Sequence, residues 1–180
     1  MGRMLVYGYG NPGRQDDGLG PALVARLEEE RIPGVTTDCN YQLQIEDAAA
    51  VSEHDAVIFV DASLVGGEPF SFTGLEPSND ITFTTHTMSP ASVLALCHEL
   101  YRKSVRAYLL AIRGYEWEFV EGLSPMAGNN LERAHSFLVS KIAELMAAVE
   151  RGVVLECTRA VIDIEGAAGD SVPASCNTDD

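Results

Sequence analysis

A short apolar run, Met4-Leu5-Val6-Tyr7, breaks into Gly8-Tyr9-Gly10-Asn11-Pro12-Gly13. After Asp16-Asp17-Gly18-Leu19-Gly20 the apolar residues return at helical spacing in Pro21-Ala22-Leu23-Val24-Ala25-Arg26-Leu27. A buried strand, a glycine-rich turn and a helix therefore follow one another directly. Glycine suits a turn in which backbone must come close or take positive φ. What this turn positions is a pair of adjacent carboxylates.

The rest of the chain repeats the alternation. The helix after the turn starts near Gly20 and stops before Pro33-Gly34. Val35–Asn40 reads as a second strand and 45–51 as a short helix. Residues 56–60 (Ala-Val-Ile-Phe-Val) form a continuous apolar run, the pattern of a central parallel strand covered on both faces, and the run ends in Asp61. Phe70–Leu75 and 81–84 are weaker strands. Ser89-Pro90 has the chemistry of a helix start, 107–112 reads as a further buried strand, and 113–128 as an irregular loop. A long helix through Val149 is expected to be capped by Asn129 or Asn130. This order predicts a single-domain, three-layer α/β fold, a mostly parallel twisted sheet with helices on both faces. Residues 1–152 form the expected domain. Residues 153–180 form an acidic C-terminal extension, with an edge strand or short helix at 153–157 and a weakly packed stretch at 165–180.

With 180 residues and a net charge of −15, the chain fits one domain whose surface disfavours nucleic acid and anionic membrane, both held mainly by Lys and Arg. No apolar run approaches bilayer length. No charged-then-apolar secretory segment opens the sequence, and the four cysteines stand in no CxxC spacing, so a cytoplasmic protein with reduced thiols is expected.

Gly8-x-Gly10-x-x-Gly13 formally matches the dinucleotide fingerprint, with Asp38 where a ribose-binding acid would stand. Pro12 removes a donor from that loop, however, and Asp16 and Asp17 would repel a pyrophosphate, so neither NAD nor flavin is expected. The same turn resembles the opening of the peptidyl-tRNA hydrolases. Their Thr-Arg-His-Asn continuation is replaced here by Gln15-Asp16-Asp17-Gly18, and their basic surface by an acidic one. No Gly-x-Ser-x-Gly elbow occurs, and neither Cys39 nor Cys97 has a convincingly placed histidine. In an open parallel sheet, Asp17, Asp61 and His86 would emerge at the carboxyl ends of strands, where such folds bind ligands. Two carboxylates and an imidazole suit nickel, zinc or another first-row divalent ion. Asp capping of a following helix, with His86 as a simple loop residue, is the competing structural reading.

Taken together, these motifs resemble the NiFe-hydrogenase maturation endopeptidases over roughly residues 4–149. The resemblance rests on Gly10-Asn11-Pro12, Asp16-Asp17-Gly18-Leu19-Gly20, Tyr41-Gln42-Leu43 and Val57-Ile58-Phe59-Val60-Asp61-Ala62. It extends to His86 ahead of Ser89-Pro90, to Gly114-Tyr115-Glu116-Trp117-Glu118 and to Glu121-Gly122-Leu123-Ser124-Pro125. It implies the phosphorylase/hydrolase-like type of this fold, and a hydrolase that removes a C-terminal peptide from a NiFe-hydrogenase large-subunit precursor, with nickel carried by that precursor. Asp17, Asp61 and His86 then become the metal-contacting residues and share in catalysis. Many relatives have Glu where this chain has Asp17, so either the backbone sits closer to the metal or Asp16 shares the role. A non-catalytic nickel-sensing chaperone on the same scaffold would use the same ligands.

Overall fold

The computed structural model describes residues 2–78 and 88–151, and the backbone of 160–161. Its sheet has six strands: β1 (Met4–Tyr9), β2 (Val35–Asn40), β3 (Ala56–Ser63), β4 (Phe70–Leu75), β5 (Arg106–Arg113) and the two-residue β6 (Ala160–Val161), in the order β2-β1-β3-β5-β4-β6. β2, β1, β3 and β5 run parallel, while β4 lies antiparallel to β5 and β6 antiparallel to β4. The helices are α1 (Leu19–Glu30), α2 (Asp47–Ser52), α3 (Pro90–Tyr101) and α4 (Pro125–Glu150).

Strand alternation divides the core in two. Met4, Val6, Ile58 and Val60 face one way, onto Leu19 and Leu23 of α1 and Leu138 and Ile142 of α4. Leu5, Tyr7, Val57 and Phe59 face the other way, onto Ala48 and Val51 of α2 and Val93, Leu94 and Cys97 of α3. Because β1 and β3 are buried on both faces, they carry the unbroken apolar runs seen in the sequence. The expected three-layer α/β fold is the observed one. No helix among the described residues is long and apolar enough to cross a membrane.

Besides shifts of a residue or two at element ends, two boundaries and one peptide bond differ from expectation. β3 does not stop at Asp61. It continues to Ser63, with Asp61 opposite Ala111 and Ser63 opposite Arg113, because a parallel partner strand can satisfy polar residues as readily as apolar ones. α4 starts at Pro125 and not at Asn129 or Asn130. Its cap is Ser124, whose hydroxyl accepts from the Ala127 amide at 3.3 Å. Ser124-Pro125 thus repeats the chemistry of Ser89-Pro90, where the Ser89 hydroxyl accepts from Ser92 N at 3.1 Å. The third difference is a cis Glu68-Pro69 peptide leading into β4, which the sequence reading did not include. The strand expected at 81–84, His86, and the extension apart from β6 lie outside the described residues.

The chain leaves β1 toward β2 on one side and returns to β3 on the other, so β1 and β3 flank the point where strand order reverses. Such reversals open a crevice at the carboxyl ends of the strands. Here the pairing of β1 with β3 ends at Gly8 opposite Val60. Asp61 is the first residue of β3 beyond it.

Candidate active site

The turn after β1 is a tightly bonded structure. Gly10 N donates to Asn40 O, Asn11 N to Asp17 Oδ2 at 3.0 Å, and Gly13 N to Asn11 Oδ1 at 2.9 Å. Arg14 N donates to Asn11 O, Gln15 N to Val120 O, Asp16 N to Glu116 O and Asp17 N to Arg14 O. Every amide from Gly10 to Asp17 is thus taken by a protein acceptor, Pro12 having none to offer. A dinucleotide loop needs such amides free to cradle a pyrophosphate, and the geometry does not supply them.

Two glycines set the geometry of this turn. Gly10 has φ +134, and a Cβ there would lie 2.0 Å from the Asp17 carbonyl oxygen. A Cβ on Gly20 would lie 2.4 Å from Tyr9 O and 2.6 Å from Val60 O, so α1 begins in backbone contact with both central strands. The turn therefore holds Asp17 against the end of β1.

Asp61 sits across the crevice from that turn. Its Oδ1 accepts from the Ala62 amide at 2.8 Å, and the Tyr9 hydroxyl stands close enough to its carboxylate to favour the charged form. Tyr9 follows Gly8 on β1 and packs against the core that also holds Tyr7 and Phe59. Burial, with the charge of Asp17 adding to it, pushes Asp61 up to about 6, although the Tyr9 hydroxyl and the Ala62 amide pull the other way. Tyr9 is itself raised, by burial and then by the Asp61 charge, so its hydroxyl keeps its proton. Asp17 thus lies near enough to Asp61 for its charge to add to that shift, and two carboxylates offer oxygen donors of the kind divalent ions take.

Asp16 has a different task. It is fully buried, and its two oxygens accept four hydrogen bonds: from Tyr115 N at 2.7 Å, Glu116 N at 2.9 Å, Ser124 N at 2.7 Å and Ser124 Oγ at 2.8 Å. Fully buried and engaged by four donors, this carboxylate ties the loop at 115–124 to the turn.

Among the described residues, no group of three or more His, Cys, Asp or Glu side chains could hold a metal ion. His86, the third expected ligand, lies outside the described residues. The other histidines that are described stand apart from the crevice. His54 Nδ1 lies 2.8 Å from Ala50 O, His98 is exposed near the end of α3, and His135 faces Glu30 at 3.7 Å. The thiols of Cys39 and Cys97 are both raised, burial leading, which is the wrong direction for a nucleophile.

Sequence reading missed Tyr9 and Ser124. Tyr9 stands in plain view between two glycines, but only the register of β1 on β3 makes it a partner of Asp61. Ser124 carried a usable signal, the Ser-Pro pair.

The architecture matches known structures. A [NiFe] hydrogenase maturation protease HycI from Thermococcus kodakarensis KOD1 superposes with a TM-score of 0.59 at 24% identity, over 83% of this chain and 92% of that one. The hydrogenase maturating endopeptidase HybD from E. coli gives 0.60 at 21% identity, over 87% and 97%. A hydrogenase 2 maturation peptidase from Thaumarchaeota archaeon SCGC_AB-539-E09 gives 0.58 at 22% identity, over 78% and 97%. The fold is the one these maturation proteases share. Comparison of the sequence with protein-family models and with curated proteins returned no match.

Proposed function

We propose that this protein is an endopeptidase that removes a C-terminal peptide from the nickel-loaded large-subunit precursor of a NiFe hydrogenase. The observation that carries the reading is the Asp17–Asp61 pair at the β1/β3 crevice, on a fold shared with proteins named as maturation proteases. In this reading Asp17, Asp61 and His86 contact nickel that the precursor already holds, so the metal belongs to the substrate. His86 is the third donor in this reading because the family resemblance implies it, two residues before Met88 in the chain. A carboxyl that titrates at about 6 is ionised at neutral pH, as a ligand must be, and can still take up a proton during hydrolysis. Cysteines without disulfide or metal spacing suit a cytoplasmic site of action.

The test is intact mass of the precursor after mixing with wild-type protein or with Asp61→Asn. Loss of a C-terminal peptide with wild type alone supports the protease. Binding with no mass change would instead make the protein a nickel-sensing chaperone on this scaffold.

A further inference from the structure

Exposed apolar side chains gather at the edge of the sheet that holds the crevice. Tyr41 and Ile45 follow β2, Leu64 and Val65 follow β3, and Phe119 and Val120 follow β5, with Val65 78% and Phe119 81% exposed. Met126 adds to them at the start of α4. Among the described residues, the other large exposed hydrophobics are Leu100 and Tyr101, at the far end of α3. Apolar surface concentrated on one edge marks a place that another molecule covers.

The tip of this collar is held in place. Gln15 N donates to Val120 O at 2.9 Å, Glu118 N donates to Gln15 Oε1 at 2.9 Å, and the Arg14 guanidinium lies 4.9 Å from the Phe119 ring centroid. Asp16 fixes both ends of the loop through Tyr115, Glu116 and Ser124. An exposed aromatic already ordered by its support loses little entropy on binding. The stretch that presents the tip also carries Asp17, so a polypeptide seated on Phe119 is brought to the crevice.

Charge narrows the occupant. Glu46, Glu68, Glu118 and Glu121 stand exposed around the collar. The two nearby cations are occupied, Arg14 with Trp117 O and Phe119, and Arg113 with Leu64 O and the Tyr115 ring. A second copy of this chain, at −15, would bring like charge to the rim. We infer that this edge is the docking face for the substrate protein, which meets Phe119 and Val120 with an apolar patch and the acidic rim with Lys or Arg. The inference rests on the protease reading for the identity of that partner.

The experiment uses full-length protein and the nickel-loaded large-subunit precursor from the same genome, with affinity measured alongside cleavage. Phe119→Ser with Val120→Ser should raise both KM and Kd about ten-fold and leave kcat nearly unchanged. Glu118→Lys with Glu121→Lys, exposed changes that leave the fold alone, should slow association several-fold, and the effect should fade with added salt. Unchanged affinity in both pairs overturns the docking face. Precursor that binds uncut, and loses binding in these variants, upholds the face and overturns the protease. Cleavage with the same KM in every variant does the reverse.

Discussion

Asp16 and Ser124 lie 108 positions apart, yet the Asp16 carboxylate takes both the amide and the hydroxyl of Ser124, at 2.7 and 2.8 Å. That hydroxyl also caps α4 through the Ala127 amide. One buried carboxylate thus joins the turn after β1, the loop at 115–124 and the start of the longest helix. Asp16→Asn keeps the shape but turns an NH2 group toward backbone donors. We expect a loss of about 3 kcal/mol, or roughly 6–12 °C in Tm for a domain of this size. Thermal unfolding checks it, and an unchanged Tm would mean the four bonds carry no net stability.

Gly20 should be equally intolerant, for a steric reason. Its missing Cβ leaves room for Tyr9 O and Val60 O, which belong to the sheet and cannot rotate away. Gly20→Ala must push α1 off the β1/β3 face, costing about 3 kcal/mol. Urea unfolding would show it as a lower midpoint at unchanged slope. A variant as stable as wild type would contradict the close approach.

Much of this was legible in the sequence. β2 and β4 fall at the residues their pattern gives, and the unbroken run at 56–60 marks a strand covered on both faces. What stayed hidden depends on register and long-range pairing. Asp16 and Asp17 are adjacent and chemically identical, and only the loop 99 and more positions away separates a structural carboxylate from a crevice one. Tyr9 likewise acquires its partner only when β1 pairs with β3. Asn129 and Asn130 were plausible caps because local pattern does not say which of several capping residues the tertiary fold will use. Asn130 instead donates to Arg113 O and Tyr115 Oη, both at 3.0 Å, bracing the same loop from within α4.

Asp61 should make stability depend on pH. Burial first, and then the Asp17 charge, set it at about 6, whereas an unfolded Asp titrates near about 3.9. Between these values the folded protein keeps a proton that the unfolded chain has released. The stability this contributes is full below about pH 4 and lost as pH rises through about 6. Measured against Asp61→Asn, which does not titrate, wild type should lose about 2 kcal/mol between about pH 4 and pH 7. Urea unfolding of both proteins across that range tests this, and parallel stability curves would contradict it.

The crevice should bind nickel weakly on its own, because oxygen and imidazole donors lack the affinity that thiolates add. Calorimetry should show binding that falls by about ten-fold or more in Asp61→Asn and again in His86→Ala. Binding should also weaken as pH drops below about 6, where Asp61 must first shed a proton. Affinity indifferent to both substitutions would remove these residues from the metal site.

The central claim is that the crevice grips nickel already held by the precursor, and so positions the scissile bond only in a loaded substrate. The direct measurement is a timed digest of nickel-loaded and nickel-free large-subunit precursor, read by intact mass. The account predicts loss of the C-terminal peptide from the loaded form and little or none from the nickel-free form. Free nickel given to the protease and then removed should not substitute. Equal cleavage of both forms would contradict nickel gating, and cleavage of neither would contradict the protease itself.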